Sequence, residues 1–106
     1  MNIYQWKVII YLYNIETEKE YYAIKKFKRD FFPSPEMDLF LEGMSEELRA
    51  VSVQYTETDL DGKRVQPHFV IHLRTAVDNT KMSNAFRATP LDIQNLKKRG
   101  WVLSKA

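Results

Sequence analysis

The alternation of apolar and polar residues predicts strands along most of this chain and a helix near its end. From Ile3 to Tyr13, Tyr4, Trp6, Val8, Ile10 and Leu12 fall on one face, and Ile3, Ile9, Tyr11 and Tyr13 on the other. The first set is continuous, whereas Gln5 and Lys7 interrupt the second. That pattern predicts a strand covered on both sides for part of its length and wet at its start.

Glu16 to Phe32 carries two conflicting signals. Thr17 and Glu20 match a capping box, and Ala23, Ile24, Phe27 and Phe31 would line a helical face. Tyr21, Tyr22, Ile24, Phe27, Phe31 and Phe32 are instead strand formers, and a strand followed by the polar turn Asn14 to Lys19 commonly returns as its hairpin partner. Composition favours the strand over the helix. Pro33 and Pro35 end the element near Phe32, because each lacks a backbone donor and holds its predecessor extended. Met37, Leu39 and Leu41 then alternate with Asp38 and Phe40 in a short strand closed by Glu42 and Gly43, and Ser45 to Leu48 reads as a turn.

Asp59 to Lys63 predicts a second hairpin. A two-residue turn at Asp61-Gly62 would disperse the apolar positions of the returning strand. A type I turn opening at Asp59, with Gly62 left-handed in a bulge, pairs Asp59 with Lys63 and gathers them. Val53 then faces Phe69, Val51 faces Ile71 and Arg49 faces Leu73. Gln54 with His68, Ser52 with Val70 and Ala50 with His72 occupy the other face, which therefore carries both histidines.

Asp78 to Thr89, rich in Asn, Thr and Ser, reads as a mobile connection in which Met82 and Phe86 anchor at most one helical turn. The helix follows over about 90–99: Thr89 is its N-cap, Pro90 its first residue, Asp92 the acidic partner of a capping box, and Ala88 with Ile93 a weak staple. Gly100 stops it, Trp101 packs back on Leu96, and Trp101 to Leu103 continues as a terminal strand. Without internal repeats, residues 1–106 make a single domain. The expected fold is β-rich α+β: a strongly bent antiparallel sheet or small half-open barrel, with the C-terminal helix on one face or end.

Composition narrows the class. Hydrophobic residues at 44% and charges at 28% fit an ordinary globular protein and exclude a disordered tail. The absence of cysteine removes disulfides, thiolate metal sites and cysteine nucleophiles. The longest apolar run, Val8 to Tyr13, is shorter than the roughly 20 residues of a membrane-spanning helix and the roughly 7 to 15 of a signal-peptide core, so a cytoplasmic location is expected. The Lys, Ile, Tyr, Asn and Phe bias is compatible with an AT-rich bacterial or phage genome.

The net charge of +2 hides a strong segregation. Residues 1–35 carry +2, 36–62 carry −7 and 63–106 carry +7. Folding is expected to interleave these segments so that opposite charges meet; two opposed surface patches are the alternative.

The chemistry-bearing residues exclude more than they assign. His68 and His72, four apart on a strand, stand about 13 Å from each other, too far to share a metal ion. Asp59-Leu60-Asp61-Gly62 resembles the start of a calcium loop, but Arg64 and Val70 stand where the loop needs glycine and an acid. Three scattered glycines form no phosphate-cradling loop, and Glu36, Asp38, Glu46 and Glu47 are an ordinary acidic cluster. No catalytic residue, cofactor or metal ligand is therefore assigned, and the protein is expected not to be an enzyme. Two segments could contact a partner. Tyr21 to Arg29 interleaves the cations Lys25, Lys26, Lys28 and Arg29 with aromatics including Tyr22, the chemistry that grips phosphates and stacks on unpaired bases. Lys97, Lys98 and Arg99 suit a helix C-terminus with no partner at all, and Arg87 is a further exposed candidate. A pI near 8.8 with eight clustered acids is unlike a dedicated nucleic-acid binder. The expected function is thus recognition of a protein partner through segregated charges, with single-stranded nucleic-acid binding through Tyr21–Arg29 and Lys97–Arg99 as the alternative.

Overall fold

The longest apolar stretch of the chain pairs with its sequence neighbour. In the computed structural model, which describes residues 3–42, 44, 47–75 and 85–105, β1 (Tyr4–Asn14) pairs antiparallel with β2 (Lys19–Arg29) without a break, from Tyr4 opposite Arg29 to Asn14 opposite Lys19. The segment that composition left open between strand and helix is therefore a strand. Of its capping-box residues, Glu20 joins β2 and Thr17 serves the turn, in which the Asn14 side chain accepts the amides of Glu16 and Thr17 and Glu18 takes a left-handed φ of 57°.

The remaining strands are β3 (Asp38–Leu39), β4 (Leu48–Thr58), β5 (Arg64–Thr75), β6 (Phe86–Ala88) and β7 (Val102–Lys105), with α1 (Pro90–Lys98) between β6 and β7. They form one sheet in the order β3-β4-β5-β1-β2-β7, and β6 continues β5's side of β1. β5 and β6 run parallel to β1; the other pairings are antiparallel. The sheet curls strongly into an open half-barrel, the β-rich α+β fold that the pattern predicts. The expected strand over Met37 to Leu41 shortens to two residues, and Leu48, placed in a turn by the sequence, begins β4. Ser45 and Glu46 lie outside the described residues.

The second hairpin forms its expected turn but not its expected register. Asp59 and Lys63 pair, Gly62 has a φ of 80°, and the Asp59 carboxylate accepts the amides of Asp61 and Lys63. Two irregularities follow. Between Thr58 and Thr56, β5 spends two extra residues around Pro67, which has no amide to give the ladder, so Tyr55 faces Phe69 and Val53 faces Ile71. A bulge at Val51 then shifts the pairing by one, setting Ala50 opposite Leu73 and Arg49 opposite Arg74. Beyond the turn, every expected partnership is thereby corrected: Val53 faces Ile71 and not Phe69, Gln54 faces Val70 and not His68, Ser52 faces His72 and not Val70, and Val51, Ala50 and Arg49 likewise lose Ile71, His72 and Leu73. The reason is burial: an unbulged β4 would bury Arg49 and expose Leu48 and Ala50, whereas the bulge buries those two completely and leaves Val51 exposed. His68 and His72 remain together on the face opposite Val53 and Phe69.

The core lies on the sheet's concave, inner face. Trp6, Val8, Ile10 and Leu12 meet Ile71 and Leu73 from β5, Leu48 and Ala50 from β4, and Leu96 of α1 with Trp101 beyond it. Phe86 belongs to β6 and is buried, so its expected role in a helical turn is corrected; Met82 lies outside the described residues, as does most of the expected connection. α1 carries the full set of signals: Thr89 and Asp92 exchange both capping-box hydrogen bonds. At its end the amides of Gly100 and Trp101 return to the carbonyls of Lys97 and Leu96. No helix among the described residues is long and apolar enough to cross a membrane.

Candidate functional site

Because side chains alternate on a strand, sealing the even positions of β1 inside places its odd positions on the outer face. This second face is partly covered, as expected, since Lys7, Ile9, Tyr11 and Tyr13 are neither sealed like their inner neighbours nor fully exposed. The pairings extend the face in both directions. Lys7 stands opposite Lys26, Gln5 opposite Lys28, Ile9 opposite Ile24 and Tyr11 opposite Tyr22. On the other side Lys7 neighbours Val70, Ile9 neighbours His72, and Tyr13 neighbours Arg87.

The resulting surface alternates cations with aromatic rings. Tyr11 and Tyr22 pack edge to face at 5.6 Å, the Arg74 guanidinium lies 5.3 Å from the Tyr11 ring centre, and that of Arg87 lies 5.6 Å from Tyr13. Glu20, opposite Tyr13 at the sheet's end, is the acid of this face; its hydrogen bond to the Tyr11 phenol is the main cause holding that group above its ordinary pKa. His72 is pushed below its ordinary value, first by burial and then by the charges of Arg74 and Lys7. Two lysines facing each other across a ladder oppose folding, by about 0.2 to 1 kcal/mol. Neither ion pair formed between described residues, Arg49 with Asp38 or Arg99 with Glu42, relieves Lys7 and Lys26.

The segment singled out by sequence is split by the pleat. Tyr22, Lys26 and Lys28 join the outer face, while Lys25 and Arg29 alternate with them toward the inner side. There both cations lie over the Phe27 ring, and Lys25 Nζ donates to the Arg99 carbonyl at the end of α1. Lys97 and Lys98 are exposed in the last turn of α1, and Arg99 pairs with Glu42 at 2.8 Å. The two basic segments thus touch through Lys25 and Arg99, away from the outer face that Arg87 joins through β6. Sequence reading missed Lys7, Tyr11, Tyr13 and Arg74. The parity of β1 held the signal for the first three, but nothing local announced β1 and β5 as neighbours.

Acidic residues gather elsewhere. Glu36, Asp38, Glu47, Glu57, Asp59 and Asp61 are exposed on the β3 and β4 side and at the hairpin tip. Among the described residues, Asp38 pairs with Arg49 within the acidic third, and Glu42 pairs with Arg99 of the basic third, where opposite charges of the two segments meet. Among the described residues no three His, Asp or Glu side chains gather as a metal site. No protein-family model, curated protein or solved structure matches this chain.

Proposed function

We propose that this protein is a non-enzymatic binding domain whose outer sheet face takes single-stranded nucleic acid. The observation that carries the reading is the direct opposition of Lys7 and Lys26 beside Lys28, Arg74 and Arg87, on a face that also presents Tyr11, Tyr13 and Tyr22. A phosphodiester backbone turns the like-charge repulsion into attraction, and splayed bases can stack on tyrosine rings. An unpaired strand suits an open sheet because its bases are free to turn toward the rings.

Fluorescence anisotropy with a labelled oligonucleotide, measured across salt concentrations, tests this. Replacing Lys7, Lys26 and Lys28 by glutamine should lower the salt slope by about 2, since each phosphate contact on a single strand contributes about 0.7. The pair Lys25→Gln and Arg29→Gln, on the inner side, should leave the slope nearly unchanged. Binding no tighter than about 10⁻⁴ M at physiological salt removes the reading, because that is the weak limit of non-specific attraction.

A second reading, a protein partner recognised by charge, is favoured by a different feature. β3 pairs with only Leu48 and Arg49, so among the described residues β4 from Ser52 to Thr58 has no strand on its outward side, and Glu57, Asp59 and Asp61 lie along or beyond it. That edge suits an extended segment bearing basic side chains. Capture from cells that survives nuclease but is lost on Glu57→Lys with Asp59→Lys supports this reading; nuclease-sensitive capture assigns the partner to the outer face.

A further inference from the structure

At one end of the half-barrel the two faces of the sheet meet in a shallow pocket of about 480 Å³. Its inner-face wall is aromatic, formed by Tyr4, Phe32, Tyr55 and Phe69. Phe32 is the hub: its ring centre lies 4.3 Å from that of Tyr4 and 5.6 Å from that of Phe69, which in turn packs at 5.5 Å on Tyr55. Tyr4 and Phe69 also pack against the core, whereas Phe32 and Tyr55 do not. Phe32 is 62% exposed and Tyr55 56% exposed, and exposed aromatics gathered in one place mark a binding site more often than a packing accident.

Beside Ile3 and Pro67, the rest of the lining is polar and neutral. Gln5 and His68, from the outer face, and Gln66 supply it, and the lining holds no Asp, Glu, Lys or Arg. The Gln66 carbonyl lies 2.8 Å from His68 Nδ1. A carbonyl only accepts, so Nδ1 carries the proton and Nε2 is left as an acceptor. The two glutamine amides each offer a donor and an acceptor. Aromatic surface, mixed donors and acceptors, and no charge are the chemistry that recognises a flat heteroaromatic ring. Gln5 also connects the pocket to the cations, since it stands opposite Lys28 and two residues before Lys7.

We infer that this pocket binds an unpaired nucleobase, the one at the end of the strand carried on the outer face, stacked on the open side of Phe32 with its edge read by Gln5, Gln66 and His68. The inference rests on the proposed nucleic-acid reading for its source of bases, while the pocket's own chemistry is independent of it.

Two probes separate the two. Free nucleosides, titrated singly into isotope-labelled protein, carry no phosphate and report only on the pocket. The side-chain amide signals of Gln5 and Gln66 should shift on saturation, and Phe32→Ala should abolish the shift. Short DNA strands that end in a normal base or in an abasic site report on both. The intact strand should bind about 5- to 150-fold tighter than the abasic one, the range for a single base on an aromatic ring. Phe32→Ala and Tyr55→Ala should erase that difference and leave the salt slope intact. Both side chains are mostly exposed, so an unchanged thermal midpoint will show that the fold survives; if either variant is unstable, His68→Ala in the nucleoside titration replaces it. Equal affinity for intact and abasic strands, with no nucleoside shift, overturns the pocket and leaves the outer face standing. Nucleoside shifts at the pocket without strand binding overturn the outer face and leave the pocket standing.

Discussion

The two faces of β1 are built from the same eleven residues and have opposite fates. Inward, Trp6, Val8, Ile10 and Leu12 are at most 3% exposed. Outward, Lys7, Ile9, Tyr11 and Tyr13 keep part of their surface in water, although Ile9, Tyr11 and Tyr13 are as bulky as most of the core's aliphatic residues. The difference is what lies opposite. α1 and the chain from Phe31 to Met44 cross the inner face and exclude water, whereas among the described residues no element crosses the outer one. Stability is thus concentrated on one side of a single strand, which leaves the other side free to carry like charges and open rings.

The sharpest way to break this contrast is to truncate neighbours on opposite faces. Ile10→Ala should cost about 2 to 5 kcal/mol, the loss and cavity expected at a fully buried site. Ile9→Ala, one residue away, should cost about 1 kcal/mol or less. Equal losses in chemical denaturation would mean that the outer face is packed after all.

Tyr22→Ala turns the contrast round. It should remove about 1 to 3 kcal/mol of single-strand affinity if a base stacks there, while its missing contact with Tyr11 costs the fold no more than about 1 kcal/mol. An affinity unchanged at constant salt would reduce the face to simple charge.

Which residues share a face also depends on the second hairpin, and Gly62→Ala probes its turn. Nothing lies within 4 Å of the added methyl group, so the expected cost of about 1 to 2 kcal/mol comes from the left-handed backbone alone. An unchanged denaturation midpoint would count against the turn. Thr89→Ala should cost about 1 kcal/mol by removing one arm of the capping box that starts α1, the cover of the inner face. Because α1 does not touch the outer face, strand affinity should be unaffected.

The smallest effect expected is that of pH. His72 is held below its ordinary value of 6.5 in the folded chain, so the unfolded chain binds the proton more readily. Its contribution to stability is complete above pH 6.5 and is lost as pH falls through 6.5 toward the lower folded value. His72→Gln should flatten that part of a stability profile. Protonation adds a cation beside Lys7 and Arg74, so wild-type affinity for a single strand should rise over the same interval and the variant's should not.

Much of this was legible locally. The inner stripe of β1, the Asp59 to Lys63 turn and every cap of α1 depend on neighbours a few residues apart, where spacing and φ preferences act directly; the stop expected near Phe32 came three residues earlier, at Arg29. The charged, aromatic character of Tyr21 to Arg29 was equally plain, but as a run it pooled two populations that the pleat separates. Lys25 and Arg29 face Phe27, and Tyr22, Lys26 and Lys28 face out.

By itself, then, the sequence determined the long strands β1 and β5, the turn at Asp59 to Lys63, the limits of the helix and which side of β1 is buried, because periodicity and capping act over a few bonds. Only the tertiary structure decided that β1 runs parallel to β5 and β6, that a bulge at Val51 reverses the faces of β4, and that Lys7, Arg74 and Arg87 share one surface. Each of those depends on pairing between residues tens of positions apart. Such pairing is selected by the burial of whole faces at once, and the choice of which strands meet is written in no single segment.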